Sequence, residues 1–434
     1  MGDRDDRLIK RELFTKILAH LDDKEIIAIR GPRQSGKSTL LKILRDNLIA
    51  QGVDTKHVIY ISFEDPMEID DFSKDPLAYI NSYLVDDKLY YFLIDEVQYD
   101  KSAGKHLKLV FDSLNNLKIV VTGSSSLDVA QISKFLVGRV FIYDLLTVNF
   151  YEYLDFYDER LVRIFDKNRA ILNEIISGKK VNFLPDKISL EAINKKLEEF
   201  LRYGGYPASV KKTRAEDKVE ILRNIYSTYI GKDITSLFGI TDTASIRKLL
   251  GALALQIGSL VNYNELSTTT GIYYKKLLEF LHVLEETYII KRLYPFSRNM
   301  RSELKKNPKI YFFDIGLRNY IAQNFNPVSN RTDAGSMVEN FVFVELQQRL
   351  ELASFIYFWR TRAKAEVDFI ISTPELVIPI EVKFSSFKRP EITRGMHSFI
   401  DEYEPRYAIV LTRDFFERIK IKKTEVFFIP LCFV

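Results

Sequence analysis

Nine consecutive residues near the N-terminus have the types and spacing of a site that binds nucleotide phosphates. They are Gly31, Pro32, Arg33, Gln34, Ser35, Gly36, Lys37, Ser38 and Thr39, of which the first eight match the phosphate-binding loop G-x-x-x-x-G-K-[ST]. The two glycines let the backbone bend so that successive N–H groups point at an anion. Lys37 would reach the β- and γ-phosphates, and the Ser38 hydroxyl would bind Mg²⁺. The pattern predicts an ATP site, and the alternative is a glycine-rich turn that binds nothing.

Apolar runs on both sides of this loop predict the elements that must position it. Residues 26–29 are a short apolar run of the buried-strand type. Residues 39–49 carry leucine and isoleucine at helical spacing, which predicts a helix with one apolar face. The N-terminus of that helix would direct its positive end at the same phosphates.

A second apolar run, residues 90–94, ends in two acids, Asp95 and Glu96. Such a run predicts a strand buried on both faces, as in a parallel sheet, and open α/β sheets bind ligands at the carboxyl ends of their strands. Asp95 would hold Mg²⁺ through water, and Glu96 would orient and deprotonate the attacking water. The alternative is a solvated acidic turn, which the phosphate loop upstream disfavours.

Two further positions are candidates for contact with the γ-phosphate. Residues 118–121 predict a strand that ends at Thr122 and Ser124. In P-loop ATPases of the additional-strand class, a polar residue at this place contacts the γ-phosphate. The alternative is a strand followed by a helix N-cap at Ser125 or Ser126. Arg139 precedes another strand and would stabilise charge on the transferring phosphate, in its own subunit or in a neighbour's. The alternative for Arg139 is a surface residue in a turn.

Acidic residues also interrupt apolar segments near the C-terminus. Glu339 lies in a predicted helix, Asp368 in a predicted strand, and Glu381 and Lys383 in the next strand. This order resembles the PD-(D/E)xK nuclease fold, although Val367 stands where that motif has proline. The resemblance implies a magnesium site at the three acids, with Lys383 on the same strand face as Glu381. An exposed ion pair, or a fold of this kind that binds DNA without cleaving it, are the alternatives.

Residues 245–295 predict three helices followed by a strand, which is the spacing of a winged helix-turn-helix. In such a module the start of the third helix enters the major groove of DNA. The candidate DNA contacts on this helix and on the wing are Tyr273, Lys275, Lys276, Arg292 and Arg298. The alternative is a helical interaction module with a solvated basic face.

The composition limits the number of domains, the kinds of partner and the compartment that we expect. The chain has 434 residues, of which 46% are hydrophobic, enough for two to four domains with apolar cores. The net charge of +4 does not by itself argue for nucleic acid, so any basic surface must be local. A single cysteine, Cys432, excludes a disulfide framework and predicts the cytoplasm. The charged start and the lack of a run of ~20 apolar residues predict neither a signal peptide nor a membrane span.

The motifs together resemble those of archaeal and bacterial AAA-type P-loop ATPases that carry a C-terminal domain of the DUF4143 kind. The matching stretches, in the same order, are 31–39, 95–98, 122–125, 138–139, 204–207 and 229–234. The resemblance implies an ATP-dependent role, the order of the domains and frequent association with DNA. It does not imply a particular substrate.

The predicted fold is therefore α/β, with four successive domains. They are a P-loop AAA+ ATPase core at 1–150, a helical lid at 151–240, a winged helix-turn-helix at 241–300, and a C-terminal restriction-endonuclease-like domain of the PD-(D/E)xK kind at 301–434.

The function that these features predict is an ATPase that uses ATP and Mg²⁺ to act on DNA. We expect a homo-oligomer, with a ring as one form, and no membrane partner. Two alternatives stay open. One is a signalling or assembly ATPase whose nucleotide state switches a protein-interaction module. The other is a metal-dependent nuclease gated by ATP.

Overall fold

Two compact units make up the chain. The computed structural model describes residues 7–124, 134–183, 185, 187–231, 234, 241–297, 307–350 and 354–434. The N-terminal unit comprises Leu8–Val148 and Glu286–Ile289, and the C-terminal unit comprises Met1–Arg7, Asn149–Glu285 and Ile290–Val434. None of the described helices combines the length and the apolar character that crossing a membrane requires.

A parallel sheet forms the centre of the N-terminal unit. Its strands lie in the order β2-β3-β4-β1-β5. They are β1 (Ile26–Arg30), β2 (Val58–Ser62), β3 (Tyr90–Asp95), β4 (Leu117–Gly123) and β5 (Val140–Asp144). β3 and β4 are buried along their whole length, which explains their unbroken apolar sequences. β4 lies between β1 and β3, so the strand that carries Thr122 is inserted between the loop strand and the acidic strand.

Helices cover this sheet. They are Glu12–Leu18, Lys37–Ala50, Pro66–Lys74, Pro76–Asn81 and Ala103–Ser113, with 3₁₀ turns at Thr55–His57 and Val97–Tyr99. One apolar core contains Leu41 and Ile27, and a second contains Leu107 and Ala28. Successive strand side chains point to opposite faces, so both faces of the sheet are packed. The α/β core predicted from the sequence is confirmed.

The C-terminal unit begins with a helical segment. Its helices are Phe150–Tyr157, Glu159–Ile176, Leu190–Tyr203, Pro207–Lys211 and Ala215–Thr228. Asn149 forms a capping box with Glu152, and Asp158 accepts a hydrogen bond from the N–H of Arg160 at the next helix start. The segment predicted as a lid is thus helical, and it belongs to the same compact unit as residues 301–434.

Three helices and a two-stranded ribbon follow. The helices are Thr243–Leu255, Tyr263–Thr270 and Tyr274–Glu286, and the ribbon pairs β6 (Ile290–Leu293) with β7 (Lys309–Phe312) in antiparallel fashion. Gly271, at φ 72°, ends the second helix in the left-handed conformation that glycine adopts without strain. The ribbon crosses the domain boundary predicted at residue 300. The winged-helix assignment and the four domain boundaries stay predictions.

A mixed six-stranded sheet forms the rest of the unit, in the order β12-β13-β11-β10-β9-β8. The strands are β8 (Phe355–Arg360), β9 (Glu366–Ser372), β10 (Val377–Val382), β11 (Tyr407–Thr412), β12 (Glu417–Ile421) and β13 (Thr424–Pro430). The accompanying helices are Ile315–Ile321, Ala334–Arg349 and Arg394–Tyr403, with 3₁₀ turns at Val328–Asn330 and Leu431–Phe433. Because β9 and β10 are antiparallel neighbours, Asp368 and Glu381 lie on adjacent strands.

Candidate functional site

The phosphate-binding motif forms a tight loop between β1 and the helix that starts at Lys37. Gly31, at φ 154°, passes so close to the Leu145 carbonyl that an added Cβ would lie 2.1 Å from its oxygen, which requires glycine. Gly36 adopts the left-handed conformation at φ 99° and lets the backbone turn into the helix. Sequence and geometry therefore agree on why the loop needs both glycines.

The lysine of this loop is held close to the backbone that would surround a phosphate. The Lys37 ammonium is buried and donates to the carbonyls of Gly31, at 3.0 Å, and Pro32, at 2.9 Å. Arg11 supports the loop from outside by donating to the Ser35 carbonyl at 2.7 Å. Ser38 is half-buried in the first turn of the helix, and Gln34 and Thr39 are exposed.

A threonine on β4 joins the two acids that end β3. The Thr122 hydroxyl donates to Asp95 Oδ1 at 2.5 Å and accepts the Glu96 backbone N–H at 2.9 Å. Thr122 is fully buried, and Asp95 is 4% exposed. The predicted γ-phosphate contact is therefore placed where it fixes Asp95 and Glu96 relative to each other.

Two further side chains, Tyr60 and Gln98, which the sequence analysis missed, donate hydrogen bonds to Asp95 and Glu96. The Tyr60 hydroxyl donates to Asp95 Oδ2 at 2.9 Å, and burial together with the Asp95 charge raises the pKa of Tyr60. Gln98 donates to Glu96, which also accepts a hydrogen bond of 2.7 Å from Ser124. Glu96 itself has φ 54°, a left-handed conformation that is costly for a non-glycine residue. These contacts hold its carboxylate in one orientation.

Arg139 lies at the amino ends of the strands of the parallel sheet, opposite the carboxyl ends where the phosphate loop and the two acids lie. It directly precedes β5, and its carbonyl accepts the N–H of Ile26, the first residue of β1, whereas the phosphate loop follows the last residue of β1. At ~3.3 Å per residue the two ends of this strand lie about 13 Å apart. Its guanidinium pairs with Asp112 at 2.9 Å. The prediction that Arg139 reaches the phosphates of its own subunit therefore has no support in this geometry.

In the C-terminal unit, two of the predicted metal ligands come together with the predicted lysine. Asp368 Oδ2 accepts the Val382 N–H at 2.8 Å, and Lys383 pairs with Glu381 Oε1 at 2.8 Å. Glu381 is 4% exposed, and its second oxygen, Oε2, is buried with no hydrogen-bond partner among the described residues. Burial and the neighbouring Asp368 carboxylate raise the pKa of Glu381 to about 7.

The third predicted ligand, Glu339, has other partners. Its Oε1 accepts hydrogen bonds from the Lys309 ammonium at 2.9 Å and from the Tyr311 hydroxyl at 2.5 Å. Among the described residues, no group of three or more His, Cys, Asp and Glu side chains is arranged to hold a metal ion. The donor set therefore does not fit the predicted three-carboxylate magnesium site. Period-two alternation in the apolar strand 309–312 indicates that Lys309 and Tyr311 share one face, but it does not identify Glu339 as their partner.

The predicted DNA contacts differ in whether the side chain is exposed or already paired with a carboxylate. Tyr273 is 63% exposed at the start of the third helix, and Lys275 is exposed beside it. Lys276 pairs with Asp242 at 2.5 Å, and Arg292 with Glu285 at 2.6 Å. Arg298 lies outside the described residues. DNA binding stays a prediction. Two of the predicted cationic contacts, Lys276 and Arg292, are already paired with carboxylates.

Family models match three parts of the chain. Residues 23–154 match an AAA domain, residues 194–328 match a domain of unknown function (DUF8612), and residues 334–432 match a domain of unknown function (DUF4143). The order of an N-terminal AAA domain and a C-terminal DUF4143 domain, expected from the motifs, is confirmed.

Two curated proteins align with this chain over most of their length. A protein of Haemophilus influenzae, described as uncharacterized, is 25% identical over 441 residues, which cover 97% of this chain and 98% of that protein. An uncharacterized protein of Methanocaldococcus jannaschii is 25% identical over 376 residues, covering 84% and 75% of the two chains.

Solved structures give a weaker likeness. A DNA replication initiation factor aligns with a TM-score of 0.26 and 15% identity over 65% of this chain and 91% of its own. Domain III of the Thermotoga maritima replication initiation protein DnaA aligns with a TM-score of 0.28 and 16% identity, over 52% and 88% of the chains. Scores this low support no statement about function.

Proposed function

We propose that this chain, which joins an AAA domain to a domain of the DUF4143 family, binds ATP with Mg²⁺ and hydrolyses it. The observation that carries the proposal is the set of hydrogen bonds by which Thr122 joins Asp95 and Glu96 at the carboxyl ends of the parallel strands. There β4 is inserted between β1 and β3, and Thr122 ties Asp95 to Glu96 beside the strand that leads into the phosphate loop. Open α/β sheets bind ligands at this edge.

Each side chain has a distinct task in this proposal. Mg²⁺ bound with the nucleotide supplies charge neutralisation at the β- and γ-phosphates. Lys37 exchanges its two carbonyl partners for phosphate oxygens, and Ser38 lies in the first helical turn, where its hydroxyl can bind the metal. Asp95, held by Thr122 and Tyr60, orients water around the ion.

Glu96 is proposed as the group that positions and deprotonates the attacking water. Its carboxylate is restrained by Ser124 and Gln98, so it keeps one orientation and needs little reorganisation when water enters. A general base placed this way contributes about 10²- to 10⁴-fold to the rate.

Steady-state ATP hydrolysis and nucleotide binding test this proposal. We expect Glu96→Gln to bind ATP like the wild type and to lose about 10²- to 10⁴-fold in kcat, whereas Lys37→Ala loses nucleotide binding. Asp46→Asn, an exposed change on the helix that follows the loop, is the matched control and keeps full activity. Wild-type hydrolysis that survives Glu96→Gln unchanged would refute the assignment of the base.

DNA is the partner that we propose for the C-terminal unit. The exposed Tyr273 and Lys275 at the start of the third helix support it, because aromatic and cationic side chains there can contact the DNA backbone. Lys275→Ala is expected to weaken binding across sequences and to reduce the salt dependence by about one counterion. Lys420→Ala, an exposed lysine on β12, is the control that leaves binding unchanged.

A signalling or assembly role is the second candidate. The observation that favours it is the pairing of Lys276 with Asp242 and of Arg292 with Glu285, which removes positive charge from the proposed DNA face. ATP hydrolysis that is indifferent to duplex, branched and single-stranded DNA, with no DNA binding at low salt, would select this role. Stimulation by one DNA form would select the first.

Assembly and compartment complete the proposal. The proposal includes a homo-oligomer, in which Arg139 would act on the phosphates of a second subunit, because it lies at the far end of its own sheet. We place the protein in the cytoplasm, where its single cysteine, the fully buried Cys432, stays reduced. Metal-dependent DNA cleavage is not part of the proposal, because Glu339 is engaged by Lys309 and Tyr311.

A further inference from the structure

A buried lysine contacts Glu339, one of the three predicted metal ligands. Lys309, the first residue of β7, is 2% exposed. Its ammonium lies 2.9 Å from Glu339 Oε1 and 2.6 Å from Glu366 Oε1, so one cation bridges two carboxylates. Burial opposes the charged form, but the surrounding carboxylates outweigh it and raise the pKa of Lys309 above its ordinary value. The ammonium therefore stays charged inside the protein.

The charges around Lys309 are close to balance without any ion from solution. The carboxylates are Glu339, Glu366, Asp368 and Glu381, and the cations are Lys309, Arg360 and Lys383. Arg360 pairs with Glu366 at 3.0 Å, and Lys383 with Glu381 at 2.8 Å. When all four acids are ionised, they exceed the cations by one charge, and the raised pKa of Glu339 and of Glu381, about 7 for each, reduces that excess near neutral pH. A divalent ion would therefore leave a net positive charge beside these buried acids, which is costly.

The same cluster joins two parts of the C-terminal unit. Lys309 and Tyr311 come from the ribbon, whereas Glu339 comes from the helix Ala334–Arg349 beside the six-stranded sheet. Next to them, Asn340 accepts the Phe312 N–H at 2.8 Å and donates to the Phe312 carbonyl at 2.7 Å. The ribbon is thus fixed to this helix by four hydrogen bonds to two adjacent helix residues, Glu339 and Asn340.

We propose that Lys309 is the resident cation of this carboxylate cluster and that Glu339 is its partner, so the cluster fastens the ribbon to the nuclease-like sheet and does not bind a divalent metal. Removing the ammonium would leave the Glu339 carboxylate without a cation, although Glu366 keeps Arg360 and Glu381 keeps Lys383. It would thereby create the divalent-cation site that the wild-type cluster lacks.

Thermal unfolding of the full chain, without nucleotide, tests this inference through Trp359, the single tryptophan, which is buried on β8. We expect Lys309→Met to lower the melting temperature in EDTA and to regain it with millimolar Mn²⁺. The double variant Lys309→Met/Glu339→Gln should lose that rescue. Lys420→Met, on the exposed strand β12, is the matched control and should behave as the wild type.

A second measurement covers a Lys309 variant that fails to fold. Calorimetric titration of Mn²⁺ into the nucleotide-free wild type and into Glu339→Gln should give the same binding isotherm, because Glu339 takes no part in metal binding. A tenfold or greater loss of Mn²⁺ affinity in Glu339→Gln would overturn the proposal. So would a Lys309→Met protein whose melting temperature in EDTA equals that of the wild type.

Discussion

The hydroxyl of Thr122 gives the sharpest test of how the nucleotide site is built. Thr122→Val replaces this hydroxyl by a methyl group of nearly the same size inside a fully buried position. It removes the 2.5 Å hydrogen bond to Asp95 and leaves the Glu96 N–H without its 2.9 Å acceptor. Thr122→Ser is the matched control, because it keeps the hydroxyl and removes only the methyl group.

The size of the effect follows from these two bonds. A polar group left unsatisfied in the interior costs about 1–3 kcal/mol. If the same interaction positions the two acids in the transition state, this range corresponds to a loss of roughly 5- to 150-fold in kcat, since about 1.4 kcal/mol is a factor of ten. ATP affinity should change little, because the loop and Lys37 are untouched.

Two measurements separate this explanation from direct contact with the γ-phosphate. Hydrogen exchange of the β3 and β4 amides reports the stability of the sheet without nucleotide, and steady-state kinetics report kcat and KM. We expect the valine variant to lose both stability and kcat and the serine variant to retain most of each. The contrary result is a Thr122→Val protein that shows the same hydrogen exchange of the β3 and β4 amides as the wild type and differs only by failing to distinguish ATP from ADP. That result would refute the proposal that Thr122 holds Asp95 and Glu96 together.

The remaining predictions concern buried charge and one buried hydroxyl. Asp333→Ala leaves the guanidinium of Arg318 buried without the carboxylate that lies 2.6 Å away, and should destabilise the C-terminal unit by about 3–5 kcal/mol in urea, followed by tryptophan fluorescence; an unchanged midpoint would contradict it. Tyr288→Phe removes a 2.6 Å hydrogen bond to Asp144 and should cost the N-terminal unit about 1.5–3 kcal/mol by hydrogen exchange. Burial raises the pKa of Glu339 from 4.5 to about 7, so the folded state holds the proton more tightly; C-terminal stability should fall as pH rises from about 4.5 to 7, and Glu339→Gln should flatten that slope.

The parts of the site that are contiguous in sequence were predicted correctly as elements. The phosphate loop, the strand before it and the helix after it follow from glycine spacing and apolar periodicity within about twenty residues. Tyr60 could not be found this way, because it meets Asp95 only through the pairing of β2 with β3, 35 residues apart. Strand order is a property of the folded sheet and leaves no local signal.

Arg139 and Lys309 illustrate two different reasons for incomplete prediction. Arg139 follows a glycine and precedes a strand, so its type suggested phosphate chemistry, but only the parallel direction of β5 puts it at the opposite edge from the loop. Lys309 did leave a signal, as a lysine in an apolar strand that must be buried with a partner. Its partner is a helix residue 30 positions later, which the alternation of a four-residue strand cannot identify.

The short excursion of the chain at Glu286–Ile289 has a consequence for any attempt to divide the protein. These four residues belong to the N-terminal unit, although the chain before and after them belongs to the other unit. Tyr288, at φ 58°, places its hydroxyl on Asp144, which also receives Arg30 from the end of β1. A truncation after Val148 therefore removes an internal piece of the unit that it is meant to isolate. A stable stand-alone N-terminal unit would need residues Glu286–Ile289 joined to it through a new linker.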